Sequence, residues 1–355
     1  HISPLLLPWL WKTEFPAIFN FGDSNSDTGG LASSLLEPPP PYGETFFRRS
    51  ARRFSDGRLI IDFLGMSPFS KRICGFSWDQ LLLWGKLCHC RFHYQTARSL
   101  HTSWYGFSLF YLNKQYMHFL QLKSRSQLKS RSQLLRHKGG IFASLMPMEE
   151  YFSKALYTFD IGQNDLGEGF SDNKTIHEVN ASVPDIVSMF STNIKKIYDL
   201  GARSFWIQHI TDHNNEVSLL KRTSFSTFNH KLREATIQLR KDLPLAAFTY
   251  VDTYAVKYSL YKEHIKYGFE LPLVACCGYG GNYNYSNSVE CGATVKVNGS
   301  QIFVGSCKRP SARVIWDGIH YAKAAAKFVF DKISTGEFSD PPLPFKQACH
   351  IIILD

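Results

Sequence analysis

The chain has 355 residues, of which 44% are hydrophobic and 15% aromatic, so it can fill a large core and is not intrinsically disordered. It contains no run of about 18 apolar residues, so no membrane span is predicted. The net charge of +10 comes from one segment, because residues 66–138 contain 12 Lys and Arg but a single acidic residue, Asp79. The rest of the chain is close to neutral, and we expect no nucleic-acid partner.

The N-terminal 13 residues include a short apolar run, residues 5–11, that is typical of the end of a secretory signal peptide. A hydrophobic strand or an unstructured leader is the alternative interpretation. We predict a single domain over residues 14–346 and a C-terminal tail at residues 347–355.

Four compact runs of aromatic and β-branched residues predict buried strands of a parallel sheet. They cover residues 15–21, 155–161, 203–210 and 246–252. Apolar residues at spacings of three and four predict helices over residues 183–200, 228–243 and 320–333. Strands that alternate with helices indicate an open α/β sheet, whose ligands bind beyond the carboxyl ends of the strands.

Ser24 follows the first predicted strand, in a segment rich in Gly, Asp, Ser and Asn at residues 22–30. Small residues around a serine at a strand end let a substrate and backbone donors approach its hydroxyl, and a neighbouring base makes a serine nucleophilic. The alternative is an Asx turn or a helix N-cap, which Asp and Ser form routinely. By itself, the segment favours the turn.

Asp317 and His320 change this balance, because a carboxylate three residues before an imidazole can hold one ring nitrogen while the other nitrogen faces a serine. A helix cap at Asp317 is the alternative. Asn164 lies just after the second predicted strand and offers a side-chain amide that can stabilise a tetrahedral oxyanion. An ordinary turn is the alternative for this segment.

The order of these elements resembles the plant branch of the GDSL esterase/lipase family, in the SGNH hydrolase superfamily. Residues 15–30, 53–58, 155–165 and 314–321 are similar to sequence blocks of that family. The resemblance implies a flavodoxin-like three-layer α/β sandwich with a central parallel sheet. The Gly-x-Ser-x-Gly sequence of a nucleophile elbow is absent around Ser24, which disfavours the α/β-hydrolase fold.

The resemblance also assigns roles to individual residues. It implies that Ser24 is the nucleophile, that its backbone amide is an oxyanion donor, and that His320 is the base. Asp317 would orient His320, and Asn164 would be another oxyanion donor. No metal and no cofactor are implied.

One block of the resemblance is disrupted. The family's second block supplies a glycine amide to the oxyanion hole, but residues 85–95 read Gly-Lys-Leu-Cys-His-Cys-Arg-Phe-His-Tyr-Gln. Gly85 is the counterpart by position. A coding sequence for the family motif, read two bases out of phase, translates into these same residues. We therefore hypothesise that part of residues 66–105 is an out-of-frame translation. The segment between Trp206 and Phe228 is also shorter than in the family.

Two features of the basic segment point to other functions. Cys88, His89 and Cys90 suggest zinc, but their spacing matches no standard ligand arrangement, so we expect no metal site. The sequence Lys-Ser-Arg-Ser-Gln-Leu at residues 123–128 is repeated at 129–134 and could bind phosphates. A solvated helical face is the favoured interpretation of such a charge run.

The remaining cysteines and the glycosylation sequons indicate the compartment. Five cysteines lie outside the anomalous segment, at residues 276, 277, 291, 307 and 349. Their clustering suggests disulfides in an oxidising compartment, with buried free thiols as the alternative. Asn-x-Ser/Thr sequons predict N-glycosylation at Asn173, Asn180, Asn284 and Asn298.

Together these features predict a secreted, extracellular or cell-wall enzyme that is monomeric and hydrolyses carboxylic esters of small molecules or lipids. The alternative is a catalytically impaired glycoprotein with a binding or structural role. Nucleic-acid binding through residues 123–138 is a third and less favoured hypothesis.

Overall fold

The computed structural model describes residues 15–29, 37–65, 111–131, 147–210, 219–286 and 288–348. Each of the four predicted strands forms. They are β1 (Ile18–Gly22), β2 (Leu156–Asp160), β3 (Ser204–Gln208) and β4 (Ala247–Val251).

These four strands are parallel neighbours in one sheet. The later elements β5 (Thr294–Val297) and β6 (Ser300–Phe303) form a separate antiparallel hairpin, and β7 (Ser339–Asp340) pairs antiparallel with β4. Gly22 pairs with Asp160 in the register of β1 and β2, so the carboxyl ends of these two strands are level.

Nine α-helices lie within the described residues. They are α1 (Glu44–Phe47), α2 (Ile60–Gly65), α3 (Leu112–Arg131), α4 (Glu149–Lys154), α5 (Gln163–Ser171), α6 (Ile176–Asp199), α7 (Leu219–Asp242), α8 (Thr253–Lys262) and α9 (Lys323–Ile333). None of the helices in this part of the chain is both long enough and apolar enough to cross a bilayer.

Helices cover both faces of the sheet. Phe19 and Phe21 of β1 are buried in one core with residues of α3, α6 and α7. Residues from α2, α8 and α9 fill a second core on the opposite face, where Leu156 of β2 and Trp206 of β3 lie. Because successive residues of a strand point to opposite faces, both sides of these strands must be apolar. The predicted three-layer α/β sandwich is confirmed.

Two predicted helices begin earlier than the periodicity suggested. The helix predicted from residue 183 extends further towards the N-terminus, and Pro184 lies exposed inside it, in α6. The helix begins instead at a capping box, in which Thr175 Oγ1 accepts from the backbone N–H of Glu178 and the Glu178 carboxylate accepts from the N–H of Thr175. Helix α7 begins at Leu219 rather than at Phe228.

The last predicted helix begins later than expected, at Lys323 rather than His320. The residues before it form a turn closed by a bridge between Ile315 and Tyr321. Gly318 adopts a φ of +89° within this turn, a left-handed conformation that a helix cannot contain.

The C-terminal cysteines are paired. Cys276 is bonded to Cys307, and Cys277 is bonded to Cys291. The disulfide interpretation is therefore confirmed for these four residues. Cys349 lies outside the described residues.

Several predictions fall on residues that the structure does not describe. They concern residues 1–14, the whole of the segment 66–105 with Gly85 and Cys88–Cys90, and the end of the basic repeat at residues 132–134. The first copy of the repeat lies on α3, where Ser124 and Arg125 are exposed while Ser126 is buried.

Candidate active site

Ser24 lies in a tight turn just beyond the carboxyl end of β1. The Asp23 carboxylate accepts a hydrogen bond from the backbone N–H of Asn25 at 2.8 Å, and the Ser26 N–H donates to the Asp23 carbonyl at 3.1 Å. The segment is thus an Asx turn, as the alternative interpretation of its composition predicted. The same turn presents the Ser24 hydroxyl at the edge of the sheet. Ser24 is 6% exposed.

Asp317 and His320 lie on the turn that precedes α9. Asp317 Oδ1 accepts from the backbone N–H groups of Ile319 and His320, at 3.0 and 2.8 Å. The same carboxylate thereby shapes the turn and faces the imidazole. His320 Nδ1 contacts Asp317 Oδ2 at 2.7 Å, so we assign the Nδ1 proton as the donor.

The structure brings Ser24, His320 and Asp317 into one continuous series of hydrogen bonds. Ser24 Oγ lies 2.7 Å from His320 Nε2, and with the proton on Nδ1 the serine hydroxyl donates to the imidazole. In this arrangement an imidazole can accept a hydroxyl proton while a carboxylate stabilises the resulting cation.

Opposing effects act on the Asp317 carboxylate. Burial raises its pKa, but the charge of His320 and hydrogen bonds from His320 and Tyr42 more than offset this effect and hold the pKa below its ordinary value. The carboxylate therefore remains ionised beside the imidazole at neutral pH.

Asn164 lies at the beginning of α5, four residues beyond the end of β2. Its Nδ2 is buried and has no hydrogen-bond partner among the described residues. Since β2 pairs with β1, Asn164 and Ser24 follow adjacent strands at the same edge of the sheet. Gly162 makes this turn with a φ of +108°, and a Cβ there would lie 2.3 Å from the Phe228 ring. A buried amide donor at this edge is suited to a negatively charged oxygen.

The sequence interpretation missed a buried charged group beneath the Ser24 turn. Asp23, Asp160 of β2 and Lys257 of α8 are all buried and interact electrostatically. Burial and the neighbouring Asp23 raise the pKa of Asp160 to about 7, although Lys257 opposes this shift. Burial likewise raises the pKa of Asp23 and lowers that of Lys257. The sequence signal that could have revealed this group is Asp160, a charged residue at the end of the otherwise apolar strand β2.

The predicted glycosylation sites differ in accessibility. Asn173 and Asn298 are exposed, and Asn298 is at the tip of the β5–β6 hairpin. Asn180 is half-buried on α6, and the Asn284 side-chain amide donates to the Ala275 carbonyl at 3.0 Å. The structure does not describe Gly85, so it places no second-block donor near Ser24.

A hydroxyl, an imidazole and a carboxylate in series at the carboxyl edge of a parallel sheet constitute a site of the serine-hydrolase type. The chain belongs to the GDSL-like lipase/acylhydrolase family, whose family model matches residues 18–333. This membership confirms the predicted family and the predicted enzyme class, a hydrolase of carboxylic esters.

Plant proteins are similar to the chain over most of its length. An esterase of Hevea brasiliensis is 51% identical and the alignment covers 95% of this chain and 90% of the relative. A GDSL esterase/lipase of Medicago truncatula is 47% identical with the same coverage. A protein of Arabidopsis thaliana named alpha-L-fucosidase 3 is 41% identical over 92% of this chain and 91% of the relative.

Proposed function

We propose that this protein is a secreted carboxylic ester hydrolase that acts through an acyl-enzyme on Ser24. The observation that carries the proposal is the 2.7 Å contact between Ser24 Oγ and His320 Nε2, backed by the 2.7 Å contact between His320 Nδ1 and Asp317 Oδ2. Small-molecule or lipid esters are the substrate class, and the reaction needs no metal or cofactor.

The proposed reaction has two halves. Ser24 Oγ attacks the ester carbonyl carbon while His320 Nε2 accepts the hydroxyl proton, which gives a tetrahedral oxyanion. The oxyanion collapses, the C–O bond to the alcohol breaks, and His320 returns the proton to the departing alkoxide. Water then attacks the acyl-enzyme, again giving its proton to His320, and the acid leaves as Ser24 is regenerated.

Asn164 is the proposed side-chain donor to the oxyanion, together with the Ser24 backbone amide. The buried and unpartnered Nδ2 of Asn164 supports this role, because a buried amide without a partner carries a desolvation penalty that a bound oxyanion offsets. Gly85 remains the proposed third donor by position alone.

The disrupted second block favours a second candidate, a catalytically impaired glycoprotein with a binding or structural role. Loss of one oxyanion donor lowers turnover by about 10²–10³-fold in other serine hydrolases. The two candidates share the fold and differ only in whether Ser24 turns over an ester.

Two features support secretion to the extracellular space or cell wall. The paired disulfides Cys276–Cys307 and Cys277–Cys291 are typical of an oxidising compartment. The exposed sequons at Asn173 and Asn298 fit N-glycosylation, and we propose these two as occupied before Asn180 and Asn284. A single domain over residues 14–346 is part of this proposal.

Hydrolysis of nitrophenyl acetate and butyrate tests the proposal. We expect the wild type to release nitrophenol with a burst, Ser24→Ala to reduce the rate to that of buffer, and Asn164→Ala to lower kcat by about 10²–10³-fold. Nitrophenyl α-L-fucoside serves as a second substrate, and we expect no hydrolysis of it. Equal ester hydrolysis by the wild type and Ser24→Ala would overturn the enzyme proposal and leave the impaired glycoprotein.

A further inference from the structure

Tyr42 reaches the candidate site from a distant part of the chain. Its hydroxyl donates a hydrogen bond to Asp317 Oδ2 at 2.7 Å, although 275 positions separate the two residues. Oδ2 is also the oxygen that contacts His320 Nδ1. The phenol and the imidazole therefore share one carboxylate oxygen, while Oδ1 accepts the two backbone amides of the turn.

The Tyr42 ring has packing contacts that do not involve the hydroxyl. It lies edge-on to Trp316 at 6.1 Å between centroids and to Phe54 at 6.0 Å. Phe54 in turn packs against the His320 ring at 5.2 Å. A phenylalanine at position 42 would keep these contacts, so the ring and the hydroxyl can be tested separately.

The surroundings of the hydroxyl keep bulk water from replacing it. Tyr42 is 7% exposed and lies in a buried cluster with Trp316 and the disulfide-bonded Cys277, and the side chain of Asp317 is 6% exposed. A hydrogen bond to a buried ionised group is stronger than one between neutral groups. Loss of this donor leaves Oδ2 with His320 as its remaining partner among the described residues.

We propose that Tyr42 is a positioning residue of the ester-hydrolysis site: its hydroxyl orients the Asp317 carboxylate and takes up part of the negative charge that acts on His320. This inference rests on the proposed function, because it assigns His320 as the base. Tyr42 touches neither the substrate nor the reacting atoms in this role and acts through Asp317.

Removal of the hydroxyl has two expected effects. The full charge of Asp317 then acts on the imidazole, so we expect the acidic limb of the kcat/KM profile to move to higher pH than in the wild type. The carboxylate also has one restraint fewer, so kcat falls about 3- to 10-fold while KM changes little.

The experiment compares Tyr42→Phe with the matched variant Tyr250→Phe. Tyr250 is also buried, and its hydroxyl donates to the Asn229 carbonyl at the same 2.7 Å, on a different part of the fold. We expect both variants to lose similar thermal stability. Only Tyr42→Phe should shift the acidic limb and lower kcat on nitrophenyl butyrate. If the two variants give the same limb and the same kcat, Tyr42 has a purely structural role and the inference is wrong.

A spectroscopic readout separates this inference from the proposed function. The Nδ1 proton between His320 and Asp317 should give a downfield proton resonance, which Tyr42→Phe should displace and Tyr250→Phe should leave in place. A wild type without esterase activity contradicts the proposed function, and the resonance still decides the role of Tyr42. An undisplaced resonance in Tyr42→Phe would overturn the inference even in an active enzyme.

Discussion

Two regions of the molecule meet at the contact between Ser24 and His320, and each region is held in place by a different kind of interaction. The serine region, residues 18–26, continues a strand whose neighbour β2 fixes it by a parallel ladder of hydrogen bonds. The histidine region, residues 314–321, lies outside the sheet, and its contacts come mainly from loops.

The disulfides support the histidine region directly. The backbone N–H of Cys276 donates to the Ile315 carbonyl at 3.1 Å, and that of Cys277 donates to the Trp316 carbonyl at 2.7 Å. Both cysteines are tied by disulfides to later parts of the chain. The comparison teaches that the position of Ser24 depends on the sheet, whereas the position of His320 depends on covalent cross-links and buried side chains.

The largest expected effect tests whether the histidine region serves chemistry or only structure. Asp317→Asn should lower kcat by about 10⁴-fold on nitrophenyl butyrate, because an amide favours the wrong tautomer of the imidazole. Asp252→Asn is a matched control, since Asp252 Oδ1 contacts His209 Nδ1 at the same 2.7 Å beside β4. The control should keep its activity. Equal losses in both variants would contradict a special role for Asp317.

The second prediction concerns the cross-links. Replacing Cys277 and Cys291 by Ser opens a loop with a sequence separation of 14 residues and should lower the free energy of unfolding by about 3 kcal/mol. Esterase activity should disappear at lower urea than the far-ultraviolet circular dichroism of the sheet and helices. If the activity and the circular dichroism of the variant are lost at the same urea concentration, the histidine region is no less stable than the sheet and the comparison is wrong.

The third prediction concerns two glycines with similar backbone conformations. Gly318 and Gly299 have φ values of +89° and +86°, so Ala strains both by about 1–2 kcal/mol. A Cβ at Gly318 would also lie 2.0 Å from the Tyr285 ring, whereas Gly299 has open space. Gly318→Ala should therefore lower kcat by about 10- to 100-fold through displacement of His320, and Gly299→Ala should not. Similar kcat values would show that the histidine region tolerates this displacement.

The last prediction concerns stability rather than activity and involves the buried group of Asp23, Asp160 and Lys257 beneath the serine region. Burial and the neighbouring Asp23 raise the pKa of Asp160 from its ordinary value of 3.8 to about 7 in the folded state, so between these pH values the folded protein holds a proton that the unfolded chain has lost. The free energy of unfolding therefore falls as pH rises through this window, by up to about 1.4 kcal/mol per pH unit.

Asp160→Asn should reduce this slope in urea unfolding between pH 4.5 and 7.5. Asp242→Asn is the control, because a hydrogen bond from Lys195 lowers the pKa of Asp242 below its ordinary value of 3.8, so its contribution is lost only at more acidic pH and the slope in this window should not change. An unchanged slope in Asp160→Asn would mean that Asp160 is ionised throughout this range.

The sequence predicted the strands well because runs such as residues 155–161 are apolar on both faces and end in turn residues. It could also place Ser24 and Asn164 at one edge, since parallel strands share that edge. The predicted start of α6 at residue 183 was wrong because it was based on apolar spacing, whereas the helix begins at the capping box of Thr175 and Glu178. Tyr42 was missed because no local pattern connects it with Asp317.

The buried charges were missed for the same physical reason. Asp160 ends β2 and Lys257 lies on α8, so only the packing of that helix against the sheet brings them into one environment. The Asp317–His320 pair was found because it is local, but its helical start was wrong, since Gly318 turns left-handed there.

The 296 positions between Ser24 and His320 have a consequence for biosynthesis. A ribosome releases the serine 296 residues before the imidazole, so the growing polypeptide carries the hydroxyl without its proposed proton acceptor over that whole stretch of synthesis. Under the proposed mechanism, a product that stops short of residue 317 would contain all four parallel strands and still be inert. Ester hydrolysis would then begin only after residues 317–320 have emerged and folded against the sheet.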